Sequence, residues 1–276
     1  MKSNSKLLSS PYTVWMTIFI VLPMLLVAWF AFTDRTGAFT LENILSVGQY
    51  SNVFLRSIWL GALATAISLI LGYPLAYIIA KLSAKRQSIM VMLVMLPMWM
   101  NFLLRTYAWM TLLEDNGLIN AALSALGLPR VHMINTAGAV VLGMVYNYIP
   151  YMILPLYSVL TKIDPSVIEA AQDLGANDQK VLLKVVVPMS MPGIISGVTM
   201  VFVPAVSTFI ISKMLGGGGN LLIGDLIDMQ FLGSAYNPNL GSAISLVLMI
   251  IILICMGIMN QFDEGDEANA GGGILL

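Results

Sequence analysis

Charge is what this sequence has least of. Only 10% of its 276 residues are Asp, Glu, Lys or Arg, against roughly 25% in an ordinary globular domain. Its 13 basic and 14 acidic residues leave a net charge of −1. No basic field exists to hold nucleic acid, and no acidic block would keep a disordered chain in solution. Cysteine is nearly absent: Cys255 stands alone, which excludes an intrachain disulfide and a cysteine-based metal site. The single histidine, His132, excludes a cluster of histidine ligands, so no metal is expected. No G-x-x-x-x-G-K-[ST] phosphate loop is present, and Gly216-Gly217-Gly218-Gly219, which lacks the lysine, reads as a flexible turn.

What the chain has is apolar length. Residues of the AVILMFWYC class make up 58%, and the mean hydropathy is +0.88. That is too much to hide in one soluble core, and it defines an all-α polytopic membrane protein. A helix needs about 20 apolar residues to cross the bilayer. Six such stretches lie near 13–33, 57–80, 88–113, 137–160, 194–211 and 240–259 in a single domain spanning 1–276. The first is too long for a signal peptide and ends on bulky Trp29, Phe30 and Phe32, so it reads as a retained helix. With both termini cytoplasmic, Lys2, Lys6, Lys81, Lys85, Arg86, Lys162, Lys180 and Lys184 fall inside. Only Arg35, Arg56, Arg130 and Lys213 then fall outside, as the positive-inside rule requires. The acidic tail, Asp263, Glu264, Asp266 and Glu267, weighs little in that rule. Pro23, Pro74, Pro97, Pro150, Pro155 and Pro204 lie within the spans and can kink them.

The cytoplasmic loop 161–193 carries the clearest local signals. Asp164 suits an N-cap, Pro165 the first helical position, and Gly175 a left-handed stop. Val167, Ile168, Ala170, Ala171 and Leu174 form an apolar face between them. Asn177 can cap a second helix, 178–187, ended by Pro188. The spacing Glu169-Ala170-Ala171, three residues, Gly175, nine residues, Val185-Val186-Val187-Pro188 resembles the EAA loop of ABC importer permeases. Val185 and Val187 depart conservatively from the Ile and Leu that the family prefers. The resemblance implies a six-span, type I importer (MetI-like) fold with N-in/C-in orientation. It also implies a coupling helix that docks on a separate ATPase through Glu169, Ala170, Ala171, Asp173, Gly175 and Pro188. ATP and Mg would then be bound by that partner, with no cofactor in this chain and no catalysis of its own.

Similarity to the spermidine/putrescine permeases extends further. It runs through Leu71-Gly72-Tyr73-Pro74-Leu75-Ala76-Tyr77, Leu96 to Tyr107, Gly143-Met144-Val145-Tyr146, Leu154-Pro155-Leu156-Tyr157 and Gly216 to Phe231. The last stretch resembles the B-type subunit. The implied partners are a homologous C-type permease, two ATPase subunits, an extracytoplasmic polyamine-binding protein, the polyamine itself and the lipid bilayer of a bacterial inner membrane. Permeases for other amines, opines or aminophosphonates share much of this pattern.

Polar groups inside apolar spans are costly and face a cavity or a partner. Candidate pathway residues are Trp99, Asn101, Arg105, Tyr146, Asn147, Tyr148, Tyr151, Ser207 and Thr208. Arg105 is either paired structurally or lines the pathway, and a gate or partner salt bridge fits a polycation route better than direct contact. The aromatic residues either attract ammonium groups or form packing and an interfacial belt. No Asp or Glu lies deep in a span, so a carboxylate for an amine would come from the sibling permease. Outside, Leu221 to Phe231 reads as an amphipathic helix with Leu222, Ile223, Leu226, Ile227 and Phe231 on its apolar side. Asp225 and Asp228 form its acidic face, solvated or attracting cations. The methionines, 20 in all, read as adaptable packing and His132 as surface. An intramembrane protease lacks its base or its acid pair here. A secondary transporter would have no use for an ATPase dock.

Overall fold

In the computed structural model, residues 11–233 and 235–271 are described, without the side chains of 260 and 262–271. Lys2 and Lys6 lie outside the described residues, and so do the side chains of Asp263, Glu264, Asp266 and Glu267. Hydrocarbon offers no water to backbone groups, so a spanning chain satisfies them within helices. The principal helices are α1 (Pro11–Ala31), α2 (Ser51–Ala80), α3 (Ala84–Met95), α4 (Phe102–Leu113), α5 (Leu118–Ala125) and α6 (Ala137–Leu160). They continue as α7 (Pro165–Asp173), α8 (Asp178–Met189), α9 (Met191–Ser207), α10 (Ile210–Leu215), α11 (Ile223–Phe231) and α12 (Pro238–Gly271). Among the described residues the one β-bridge joins Thr33 and Phe39.

Four segments are long and apolar enough to cross a membrane: Pro11–Ala31, Glu42–Ala80, Ala137–Leu160 and Pro238–Met259. Two more form only as bent pairs, Ala84–Trp99 with Phe102–Ala125 at 86° and Asp178–Met189 with Met191–Ser207 at 68°. Counting each pair as one span gives six.

Three expected boundaries are corrected. The stretch 88–113 is not one helix: a 3-10 turn, Leu96–Trp99, follows α3, Met100 is extended, and Asn101 starts α4 afresh. Pro97 supplies no N–H there. The stretch 194–211 stops at Ser207, because Thr208 takes an extended conformation before α10 begins. Finally, Pro188 does not end its helix. A π-helical segment, Leu182–Val186, precedes it and widens the turn into which the proline ring projects, so α8 runs on to Met189.

The centre of the bundle is the trio α2, α6 and α9, with Ala64, Val140, Met144, Met152 and Val201 wholly buried between them. Lipid tails are as apolar as the side chains, so association rests on close packing at small residues. A Cβ on Gly61 would lie 2.7 Å from Val206 Cγ2 and 3.3 Å from the Val206 nitrogen. One on Gly197 would lie 2.7 Å from Met152 Sδ and 3.2 Å from its carbonyl oxygen. At one end of the bundle, Lys81, Thr161, Pro165 and Val186 border a single groove. At the other, Arg56 Nη1 donates to the Gly219 carbonyl at 2.9 Å.

Gly61→Ala should lower stability by about 1–3 kcal/mol through overpacking. Gly48→Ala, with open space around the new methyl, should change little. Thermal unfolding of the two variants in detergent checks the contrast.

Candidate functional site

Helix α7 is defined at both ends by its own sequence. The Ser166 amide donates to Asp164 Oδ1 at 2.9 Å, and Pro165 occupies the first turn. The Ser166 amide, then its hydroxyl, holds the Asp164 carboxyl below the ordinary carboxylate range. At the far end Gly175 has φ +83°. Its N–H reaches the Gln172 carbonyl at 2.8 Å, and the Ala176 N–H reaches Ala171 at 3.1 Å. This is the paired closure of a Schellman motif. Asn177 Oδ1 then caps α8 by accepting from the Lys180 amide at 2.9 Å.

The expected single apolar face of α7 is split. Ile168 and Ala171 pack onto the bundle, whereas Val167, Ala170 and Leu174 are exposed, Leu174 to 90%. The reason is geometric: five apolar positions over two turns exceed the stripe that one contact surface covers. Glu169, Asp173 and Gly175 are exposed beside them, and so is Pro188 on α8. Glu169 also borders a groove of about 550 Å³ with Tyr77, Lys81, Ile163 and Gln172. Lys81 Nζ stands 4.2 Å above the Tyr77 ring. Beyond α8 the chain turns at Ser190, whose hydroxyl donates to the Val187 carbonyl at 3.0 Å and lies 2.8 Å from the Tyr73 hydroxyl. With its proton so used, Ser190 accepts from Tyr73. That bond ties the elbow between α8 and α9 to α2.

The membrane candidates fall into separate groups. Arg105 is buried, with Nε and Nη1 lacking partners, and its guanidinium carbon lies 6.0 Å from the Phe102 ring centre. No carboxylate pairs with it among the described residues. The Tyr148 side chain neighbours Thr208 and Arg105. Tyr148 and Tyr151 rings are 6.5 Å apart. Arg105, Tyr148, Tyr151 and Thr208 therefore meet where α4, α6 and the break after α9 come together. Tyr146 instead meets Trp109 edge-on at 5.3 Å. Asn147 is buried and donates to the Gly143 carbonyl at 2.9 Å, leaving Oδ1 without a partner. Ser207 donates to its own helix at Val203, 3.0 Å away. Asn101 is a cap, accepting from the Leu103 amide at 2.8 Å and the Leu104 amide at 3.4 Å, and Trp99 beside it is exposed.

The expected acidic face of α11 is corrected. Asp225 is only 5% exposed, and its Oδ2 accepts from the Leu222 amide at 2.9 Å. Its Oδ1 is buried without a hydrogen-bond partner. Burial pushes its carboxyl up, against opposing pulls from Ser212 and the Leu222 amide. Asp228 is ion-paired to Lys213 at 3.0 Å. The acids are turned inward because α11 packs between α10 and the bundle, with its first amide held at 2.8 Å by Ser57 Oγ of α2. Arg56 also donates to Asn220 Oδ1. The links from Arg56 and Ser57 were not legible from the sequence, since each joins positions more than 160 residues apart; the Lys213–Asp228 pair spans 15 positions and the Asp225 cap three.

Broken apolar spans surround a tight three-helix centre, and a separately capped helix projects from one end. The chain belongs to the family described as "Binding-protein-dependent transport system inner membrane component", matched over residues 72–264. It is 37% identical over 250 residues to the spermidine/putrescine transport system permease protein PotB of Haemophilus influenzae, covering 87% of each chain. The protein of that name in Escherichia coli K12 is 37% identical over 255 residues, covering 89% of this chain and 91% of the relative. In fold the chain is similar to a bacterial ABC transporter involved in import of the acidic polysaccharide alginate. That match has a TM-score of 0.79 at 18% identity, over 95% of this chain and 96% of the other.

Gly175→Ala places a Cβ at positive φ, costing about 1–2 kcal/mol. Amides of the Schellman closure should exchange roughly 5–30-fold faster, measured by hydrogen exchange. A raised Asp225 pKa means that the folded chain binds more protons than the unfolded one between the two values. Protection of α11 should therefore be full below the ordinary carboxylate range and fall as pH rises through the raised value. Asp225→Asn should flatten that dependence in protection factors corrected for intrinsic exchange.

Proposed function

We propose that this chain is the B-type permease half of an ATP-driven importer for spermidine and putrescine. It crosses the inner membrane six times with both termini cytoplasmic. A homologous C-type permease completes the pathway, two ATPase subunits hold ATP and Mg, and an extracytoplasmic binding protein delivers the amine. This chain does no chemistry on nucleotide. The observation that carries the coupling role is the exposed face of α7, with Val167, Glu169, Ala170 and Leu174 left free between two fixed ends. The amine rests on the two relatives at 37% identity that bear the spermidine/putrescine name. The orientation is supported by the grouping of Lys81, Thr161 and Pro165 around one groove, away from Arg56.

The mechanics follow from the connections. Closure of the ATPases displaces α7, and its Schellman closure passes the movement to α8. The Ser190 elbow, held to Tyr73, turns that movement into α9. The far end of α9 is the break at Thr208, beside Tyr148 and Arg105. Glu169, Ala170, Ala171, Asp173, Gly175 and Pro188 therefore belong to the ATPase side. Trp99, Tyr151 and the Arg105 cluster belong to the pathway side.

Glu169→Lys combined with Gly175→Val should abolish ATP-dependent uptake of labelled spermidine and putrescine while the permease still reaches the membrane. Undiminished uptake refutes the coupling role. Uptake that ignores both polyamines in a strain lacking its own systems favours another small amine.

A further inference from the structure

Helix α3 contains no buried residue, and its Val91 and Val94 pack only at the edge of the core. What fastens it is Gln87. The Gln87 Nε2 donates to the Ala80 carbonyl at 2.9 Å and to the Leu82 carbonyl at 2.8 Å. These carbonyls lie at the end of α2, where a helix leaves its last acceptors without amide partners. The Gln87 Oε1 accepts from the Tyr157 hydroxyl of α6 at 3.2 Å. A side-chain amide offers two N–H donors and one acceptor oxygen, and all of these groups are used here. Ser88, the next residue, bonds only its own helix, at the Ala84 carbonyl 3.3 Å away. Among the described residues, Gln87 is thus the one side chain whose hydrogen bonds tie α3 to α2 and α6. It does so at the end of the bundle that α7 touches, where Ala80 and Leu160 border one groove with Ile168.

We propose that Gln87 is a positioning residue that carries the movement of α7 into α3, and through it to the Arg105 side of the pathway. This role rests on the importer reading. Only the turn 161–164 separates α7 from α6, so displacement of α7 acts first on the last turn of α6, where Tyr157 sits. Tyr157 pushes on the Gln87 oxygen, while the Gln87 nitrogen stays anchored on the end of α2. Helix α3 then pivots about that anchor, and its far end, the turn Leu96–Trp99, makes the larger movement. Beyond that turn α4 carries Arg105. Helix α9 reaches the same neighbourhood at Thr208, from the Ser190 elbow. Both broken spans thus answer to one coupling helix, α3 through Gln87 and α9 through Ser190. Arg105 and Thr208 are moved from their separate sides in one step. Without Gln87, α9 would still be driven and α3 would be left behind.

The test uses the assembled transporter in nanodiscs, with nitroxide labels on Ile70→Cys of α2 and Met92→Cys of α3, both exposed positions, in a Cys255→Ser background. The distance between the labels is measured by electron paramagnetic resonance before and after trapping with ATP, Mg and vanadate. Otherwise wild-type Gln87 is compared with Gln87→Met, Tyr157→Phe and the neighbouring Ser88→Ala. Trapping should shift the labels by about 1–2 Å or more with Gln87 and Tyr157 in place. The shift should persist in Ser88→Ala and vanish in Gln87→Met and Tyr157→Phe. ATP hydrolysis should continue in those two variants, while amine delivered per ATP falls about fivefold or more. Tyr157→Phe removes one oxygen and leaves Gln87 on α2, so it decides the matter even where Gln87→Met fails to assemble. An α3 that does not move with Gln87 present, a shift that survives in either variant or is lost in Ser88→Ala, or uptake and hydrolysis falling in equal proportion overturns the proposal. The label shift needs no transported substrate, so uptake of a different amine refutes the polyamine assignment and leaves the role of Gln87 standing. Normal polyamine uptake with a motionless α3 does the reverse.

Discussion

Close approach of α2, α6 and α9 is the constraint on which the rest depends. In lipid, no hydrophobic force pushes these helices together, and what holds them is contact made possible where a side chain is missing. Gly61 admits Val206, and Gly197 admits Met152. The same approach brings Ser57 to the first amide of α11 and Tyr73 to the Ser190 elbow. One helix, α2, is thus bonded both to the Ser190 elbow at the start of α9 and to the first amide of α11.

Polar groups are few, and most are spent on backbone. Asn101, Asp164 and Asn177 start helices, Thr106, Ser207 and Thr65 satisfy carbonyls of their own helix, and Asn239 donates to the Thr33 carbonyl of α1's exit at 2.7 Å. Against that background the exceptions stand out. Arg105 on α4 and Asn147 on α6 keep buried polar atoms without partners. Within this chain these atoms remain unsatisfied.

Legibility from the sequence followed the range of the interaction. The ends of α7 were readable because a cap acts over two residues and a Schellman closure over five, so Asp164, Pro165 and Gly175 carried their own instructions. The broken spans were half readable. Pro97 and Pro204 marked weak points, but the stop at Thr208 is set by α11, where Gly224 would put a Cβ 2.5 Å from the Thr208 carbonyl oxygen. Asp225 was misread because an amphipathic pattern assumes water on its polar side, and here that side faces α10. Its position three residues after Leu222, where a side chain can bond back to a helix's first amides, was the local signal that outranked the pattern.

The ties from Arg56 and Ser57 to the glycine turn and to Ile223 reach across 163 and 166 positions of chain. During synthesis, these two bonds of the second span form only after the chain as far as Ile223 has been made. The order in which segments leave the ribosome sets the order in which this subunit closes, and α12, whose Asn239 bonds the Thr33 carbonyl, fastens after the glycine turn.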